Sequence, residues 1–213
     1  MEKRRVVITG VGTVNPTGNT AAESWAAIRA GVCGIGPITH YDTSDMKVKL
    51  AGEVKNIDLA EKLGKREAKK MDRFTQLALV AADEAMADSG LDRAQEDLSR
   101  CGVICSSGIG GFETVGDAYQ RGSTRGYDAS SPFMIPMIIS NMAAGHMAIR
   151  YGVQGMCTCV VTACAGGTNA VGDAFRHIRD GYGDVMLCGG TEAAITPLAM
   201  GGFTAMKALC DST

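Results

Sequence analysis

Residues 159–181 read CVVTACAGGTNAVGDAFRHIRDG, and the character of the chain changes in the middle of them. A β-branched, apolar run ends at Ala163, and a helical pattern starts near Ala165, so Cys164 is left on the corner between them. Gly166 and Gly167 each cost a helix about 1 kcal/mol relative to alanine. Two of them in a first turn predict that something comes very close to the backbone there. The unpaired N–H groups of a first helical turn point at an anion beside them, and the helix dipole favours a thiolate over a thiol. That arrangement suits a nucleophile. It resembles the strand–turn–helix elbow of hydrolases, but Thr162 stands where the elbow wants glycine. Spacing alone does not decide between a nucleophile and a buried structural cysteine.

Outward from this corner, strand-like and helical patterns alternate. Buried strands are predicted at 4–10 (RRVVITG), 101–108 (CGVICSSG), 157–163 and 184–190 (DVMLCGG). Helices are predicted at 24–31, with Gly31 just past the end, and at 65–89, 138–150, 165–180 and 198–209. A helical stretch also runs from the GIGG segment to about Tyr119. In the helix over 65–89, Met71, Phe74, Ala78, Ala81 and Ala85 form the apolar stripe. Residues 32–66 give no clear order. Strands joined by helices imply parallel pairing with right-handed crossovers, an α/β layered sheet covered on both faces.

Composition excludes several classes. The chain has 213 residues, a net charge of −2 and no basic patch with interleaved aromatics, which argues against nucleic-acid binding. The longest stretch without a formal charge, 129–149, carries Pro132, Pro136, Asn141, Gly145 and His146, so a membrane span is not expected. No secretory signal opens the chain, and of the eight cysteines Cys101, Cys105, Cys157, Cys159 and Cys188 lie in apolar, strand-like segments. Reduced thiols and a cytoplasmic location follow. No Cys-x-x-Cys pair occurs, and His40, His146 and His177 sit at no ligand spacing, so neither metal nor cofactor is expected.

The segment TACAGGTNAVGDAFRHIRDGYGDVMLCGGTEA resembles the active-site region of β-ketoacyl-[acyl-carrier-protein] synthases of the type II, fatty-acid elongating class. VVITGVGTVNPTGN (6–19), SSGIGG (106–111), SPFMIPMIISNMAAGHMAIRYG (131–152) and TPLAMGGFTAMKAL (196–209) are similar to further segments of that family, in the same order. The resemblance spans essentially the whole chain. It implies a thiolase-like fold of two similar α/β halves in a chain about twice this length. Residues 1–213 are then the N-terminal part, an incomplete half, and the second half is absent.

The resemblance further implies that Cys164 takes an acyl group from acyl-carrier protein, with its own N–H as one oxyanion donor. Ile109 and Phe203 match residues beside the acyl pocket. Phe133 to Met142, Met137 included, matches the homodimer interface that lines the acyl tunnel. Without the resemblance, Ile109 and Phe203 would pass for plain core. Gly166 stands where Thr or Ser is common, and Asn169 where His is common. The family's catalytic histidines, lysine and second oxyanion donor belong to the second half, and none of the three histidines here matches them. The piece alone is therefore not expected to condense substrates, and it should expose surface that the second half normally covers. A polyketide-type ketosynthase, a thiolase using CoA thioesters and a non-catalytic assembly subunit of the same fold remain as alternatives.

Overall fold

The computed structural model describes residues 3–211. In chain order the elements are α1 (Ala21–Arg29), β1 (Gly36–Pro37), β2 (Leu50–Ala51), α2 (Leu59–Leu63), α3 (Lys65–Ala68), α4 (Arg73–Ser89), β3 (Cys101–Ser106), α5 (Phe112–Arg125), α6 (Met134–Ile138), α7 (Met142–Tyr151), β4 (Cys157–Thr158), α8 (Gly166–Arg179), β5 (Val185–Gly190) and α9 (Pro197–Ala205). Strands β4, β3 and β5 form a parallel sheet in that order, and β1 and β2 form a small antiparallel pair. The long register between β3 and β5 runs from Cys101 opposite Val185 to Ser106 opposite Gly190.

All six residues of β3 are buried, because helices cover both of its faces. Val103 and Cys105 join Phe74, Leu77, Ala78, Ala143 and Met147 in the main core, on the α4 and α7 side. Ile104 faces the other way and packs with Ala170 and Ala174 of α8. The expected α/β layering, a parallel sheet covered by helices, is present. α8 and β5 then meet at the corner of interest.

Four of the expected elements differ. The segment expected as a buried strand over 4–10 pairs with no strand among the described residues, and Val7 and Ile8 are 62% and 82% exposed. The chain just beyond it is held by α4 instead. Val11 N–H donates to Asp88 Oδ2 and Thr13 N–H to Glu84 Oε2, both at 2.9 Å, while Gly10 and Gly12 lie against the α4 backbone. A cavity of about 250 Å³ separates Val6 and Val7 from Val185, Met186 and Leu187 on β5.

The helix expected over 65–89 is broken into α3 and α4. Asp72 accepts from the Phe74 N–H and caps α4, and the Gln76 amide donates to the freed carbonyls of Ala68 and Met71 at 2.9 and 3.0 Å. The helix expected over 138–150 begins only at Met142, as α7, and the short α6 precedes it, with residues 139–141 between them. The strand expected over 157–163 is laddered only at Cys157 and Thr158, and Cys157 is exposed rather than core-like. No helix among the described residues is long and apolar enough to cross a membrane.

Candidate active site

Cys164 sits in a single 3₁₀ turn, Ala163–Ala165, that runs directly into α8. The expected corner is thus observed. Ala163, just before the cysteine, has φ of +48°, a left-handed conformation that a non-glycine residue adopts at a cost of order 1–3 kcal/mol. Such a value persists only where the surroundings hold it. Cys164, next in the chain, is exposed. The structural alternative for this residue, burial in apolar packing, is not what the fold shows.

Cys33, Cys157 and Cys210 are exposed as well, but none of them stands at the start of a helix, and the core cysteines differ. Cys105 is buried in the main core, and burial pushes its thiol up to about 12. Burial also pushes the Cys188 thiol up. Neither environment favours a thiolate.

The close approach predicted from Gly166 and Gly167 comes from the sheet. A Cβ on Gly166 would lie 1.9 Å from Ser106 Oγ, at the end of β3. Gly167 packs against Gly190, at the end of β5, whose own Cβ would fall 2.8 Å from Gly167 Cα. The first turn of α8 is therefore wedged between two strand ends. Ser106 also donates to the Val160 carbonyl at 2.6 Å, which ties the segment leading to Cys164 onto β3.

Of the remaining expected site residues, Ile109 is placed near this corner. Its loop, 107–111, follows β3, and a Cβ on Gly108 would come within 3.9 Å of Ala163 Cα. The far side of the loop rests on α6. Gly111 N–H donates to the Ile138 carbonyl at 3.1 Å, and a Cβ on Gly111 would fall 2.2 Å from the Met137 carbonyl. One glycine-rich loop thus bridges the Cys164 corner and the segment holding Phe133 and Met137. Ile109 and Phe133 are 38% and 42% exposed, and the Lys70 ammonium lies 5.9 Å from the Phe133 ring centroid.

Phe203 is half-buried on α9, whose Met200 packs with Ile38 and Val48. Its helix is anchored on the 38–48 segment rather than on the cysteine corner. His177 stacks on Tyr182, with ring centroids 5.7 Å apart, and His40 Nδ1 lies 3.8 Å from the buried Glu53 carboxylate. His146 is half-buried on α7, where burial lowers its proton affinity. Two residues that shape the corner, Ser106 and Glu192, were not marked by any spacing. Both are ordinary polar residues next to strand ends, and only the fold shows what they touch.

Residues 3–213 match the family described as beta-ketoacyl synthase, N-terminal domain. The chain belongs to this family. It is 46% identical over 209 residues to 3-oxoacyl-[acyl-carrier-protein] synthase 2 of Synechocystis sp., covering 98% of this chain and 50% of that protein. It is equally similar, over 208 residues, to the protein of the same name from Staphylococcus aureus strain COL. The chain thus spans about half the length of the curated relatives it matches.

Among solved structures, this β-ketoacyl synthase domain superposes on the ishigamide ketosynthase/chain length factor with a TM-score of 0.88 and 28% identity. The match covers 99% of this chain and 53% of that one. A β-ketoacyl synthase from Burkholderia phymatum gives a TM-score of 0.84 at 25% identity, over 99% of this chain and 52% of that one. A type II polyketide ketosynthase, solved with its acyl-carrier protein, shares the fold with a TM-score of 0.82 at 23% identity, over 96% of this chain and 55% of the other.

Proposed function

We propose that residues 1–213 are the N-terminal part of a β-ketoacyl-[acyl-carrier-protein] synthase that elongates fatty acids, with Cys164 as its acylated nucleophile. The observation that carries this reading is Cys164, exposed on a strained turn at the start of α8. The 46% identity to two 3-oxoacyl-[acyl-carrier-protein] synthase 2 proteins supports the choice of reaction.

In this reading the Cys164 thiolate attacks the carbonyl carbon of an acyl thioester on acyl-carrier protein. A new C–S bond forms, the bond to the carrier's sulfur breaks, and the carrier leaves as its thiol after taking a proton. The Cys164 N–H is one donor to the oxyanion formed on the way. Malonyl-carrier protein then loses carbon dioxide, and its carbanion attacks the acyl carbonyl on Cys164. The new C–C bond gives a β-ketoacyl carrier, and the cysteine returns as thiolate.

Ile109, Phe133, Met137 and Phe203 line or flank the acyl site in the intact protein, with Phe133 and Met137 supplied across a homodimer interface. The exposure of Phe133, Ile135 and Ile139 is consistent with such a contact. The protein works in the cytoplasm without a cofactor. None of His40, His146 and His177 matches the family's catalytic histidines, so the 213-residue piece alone does not carry out the decarboxylating step.

A polyketide-type ketosynthase is the second reading; a type II polyketide ketosynthase and the ishigamide ketosynthase/chain length factor share this fold. Their identities of 28% and 23% fall well below the 46% of the fatty-acid synthases. A non-catalytic assembly subunit would have no use for an exposed cysteine on this corner.

The test is acylation from acyl-carrier protein, followed by intact-mass spectrometry with the wild type and Cys164→Ala. One acyl adduct on the wild type and none on the variant are expected. Equal adducts on both would overturn the assignment, and transfer from acyl-CoA in preference to the carrier protein would favour a thiolase.

A further inference from the structure

The structure assigns Glu192 as a positioning residue for the Cys164 corner, resting on the reading of Cys164 as the acylated nucleophile. Glu192 lies two residues beyond β5, and its carboxylate crosses to the loop after β3. Oε2 accepts from the Gly108 N–H at 2.8 Å and the Ile109 N–H at 3.3 Å, and Oε1 accepts from the Ser107 hydroxyl at 3.2 Å. Ser107 is itself buried, and its hydroxyl accepts from the Gly110 N–H at 3.0 Å. One carboxylate therefore takes three donors from three consecutive residues.

Those residues form the loop that carries Ile109 and passes close to Ala163 at Gly108. A Cβ on Gly108 would lie 3.0 Å from Glu192 Oε2 and 3.9 Å from Ala163 Cα, so carboxylate, loop and corner are in close succession. The neighbouring residue, Thr191, is tied down as well. Its N–H donates to the Ser106 carbonyl at 2.9 Å and its hydroxyl to the Phe74 carbonyl at 2.7 Å. The carboxylate thus reaches across from an anchored base. Without it, two backbone N–H groups lose their acceptor, and the loop keeps its internal Ser107–Gly110 hydrogen bond and its contact with α6. Glu192 touches neither Cys164 nor any reacting atom in this arrangement. Its effect runs through the placement of Ile109 and Gly108 beside the nucleophile.

The experiment uses the full-length synthase containing this chain, with Glu192→Ala and Glu192→Gln. Glutamine keeps an oxygen for the two N–H groups and can donate its amide to the Ser107 hydroxyl, so it preserves the geometry while removing the charge. In Glu192→Ala, exchange of the Gly108 and Ile109 amides is expected to rise by about tenfold or more. Acylation of Cys164 by a long-chain acyl-carrier protein is expected to fall by about tenfold, with a changed ratio to a short-chain donor. Glu192→Gln should restore both to within about twofold of wild type.

Unchanged amide exchange in Glu192→Ala would overturn the clamp. Faster exchange with unchanged acylation of both donors would overturn the positioning role, and so would a loss of acylation that glutamine does not restore. Amide exchange reads the clamp even if wild-type Cys164 proves not to be acylated, so failure of the nucleophile assignment is seen separately.

Discussion

A Cβ on Gly166 would fall 1.9 Å from Ser106 Oγ and 2.8 Å from Ser106 Cβ. The first turn of the helix after Cys164 is therefore seated directly on the end of β3, with no space for a side chain. The same Ser106 hydroxyl donates to the Val160 carbonyl, so it fixes both the approach to the cysteine and the helix that follows it.

Gly166→Ala should therefore destabilise the fold by about 1–3 kcal/mol, the usual cost of overpacking. Rotating the serine side chain cannot relieve the clash, because Ser106 Cβ is also too close. Urea unfolding would show the loss as a lower midpoint, and Ser106→Gly in the same chain should recover part of it.

Asp72 caps α4 and also accepts from the N–H and hydroxyl of Thr114, at 2.9 and 2.7 Å, which joins α4 to α5. It is 3% exposed. Asp72→Ala removes a cap and leaves buried donors unsatisfied, so a loss of about 2–3 kcal/mol is expected. Asp72→Asn, which keeps one acceptor oxygen, should lose less on thermal unfolding.

Alkylation should separate the cysteines. Cys164 is exposed at the start of a helix, whereas Cys105 is buried with its thiol pushed up to about 12. Under native conditions with limiting iodoacetamide, peptide mass spectrometry is expected to find Cys164 modified at least about tenfold faster than Cys105 or Cys188. Equal rates would remove the case for a primed nucleophile.

Stability should fall at acid pH for a definable reason. Asp184 is hydrogen-bonded by the guanidinium of Arg100 and also by that of Arg4, and these contacts hold its carboxyl down to about 2, from an ordinary value of 3.8. A carboxylate held lower in the folded state than in the unfolded one stabilises the fold above the unfolded value. That contribution is lost as pH falls from about 4 towards 2. Asp184→Asn should flatten this limb of a plot of melting temperature against pH. Above pH 5 the variant should be uniformly less stable than wild type.

Much of this layout was legible from local pattern. The alternation of strands and helices follows from hydrophobic period and from Gly and Asp punctuation. β3, β5, α8 and the corner at Cys164 lie within a residue or two of where those signals put them. The departures have a common origin. Residues 4–10 are apolar enough for a buried strand, yet the chain beyond them is drawn onto α4 by Glu84 and Asp88. The break at Asp72 depends on Thr114, which lies 42 residues away. Neither partner can be inferred from a local window.

The amino-acid order by itself determined the α/β alternation, the family and a cysteine at the start of a helix, because these depend on neighbours along the chain. Only the tertiary structure decided that Cys164 is exposed, that Ser106 is what Gly166 makes room for, and that Glu192 holds the loop carrying Ile109. The last two are contacts between residues far apart in sequence, and the first depends on how those segments pack. Their geometry is set when β3, β5 and α8 pack together, and it has no signature in any one segment.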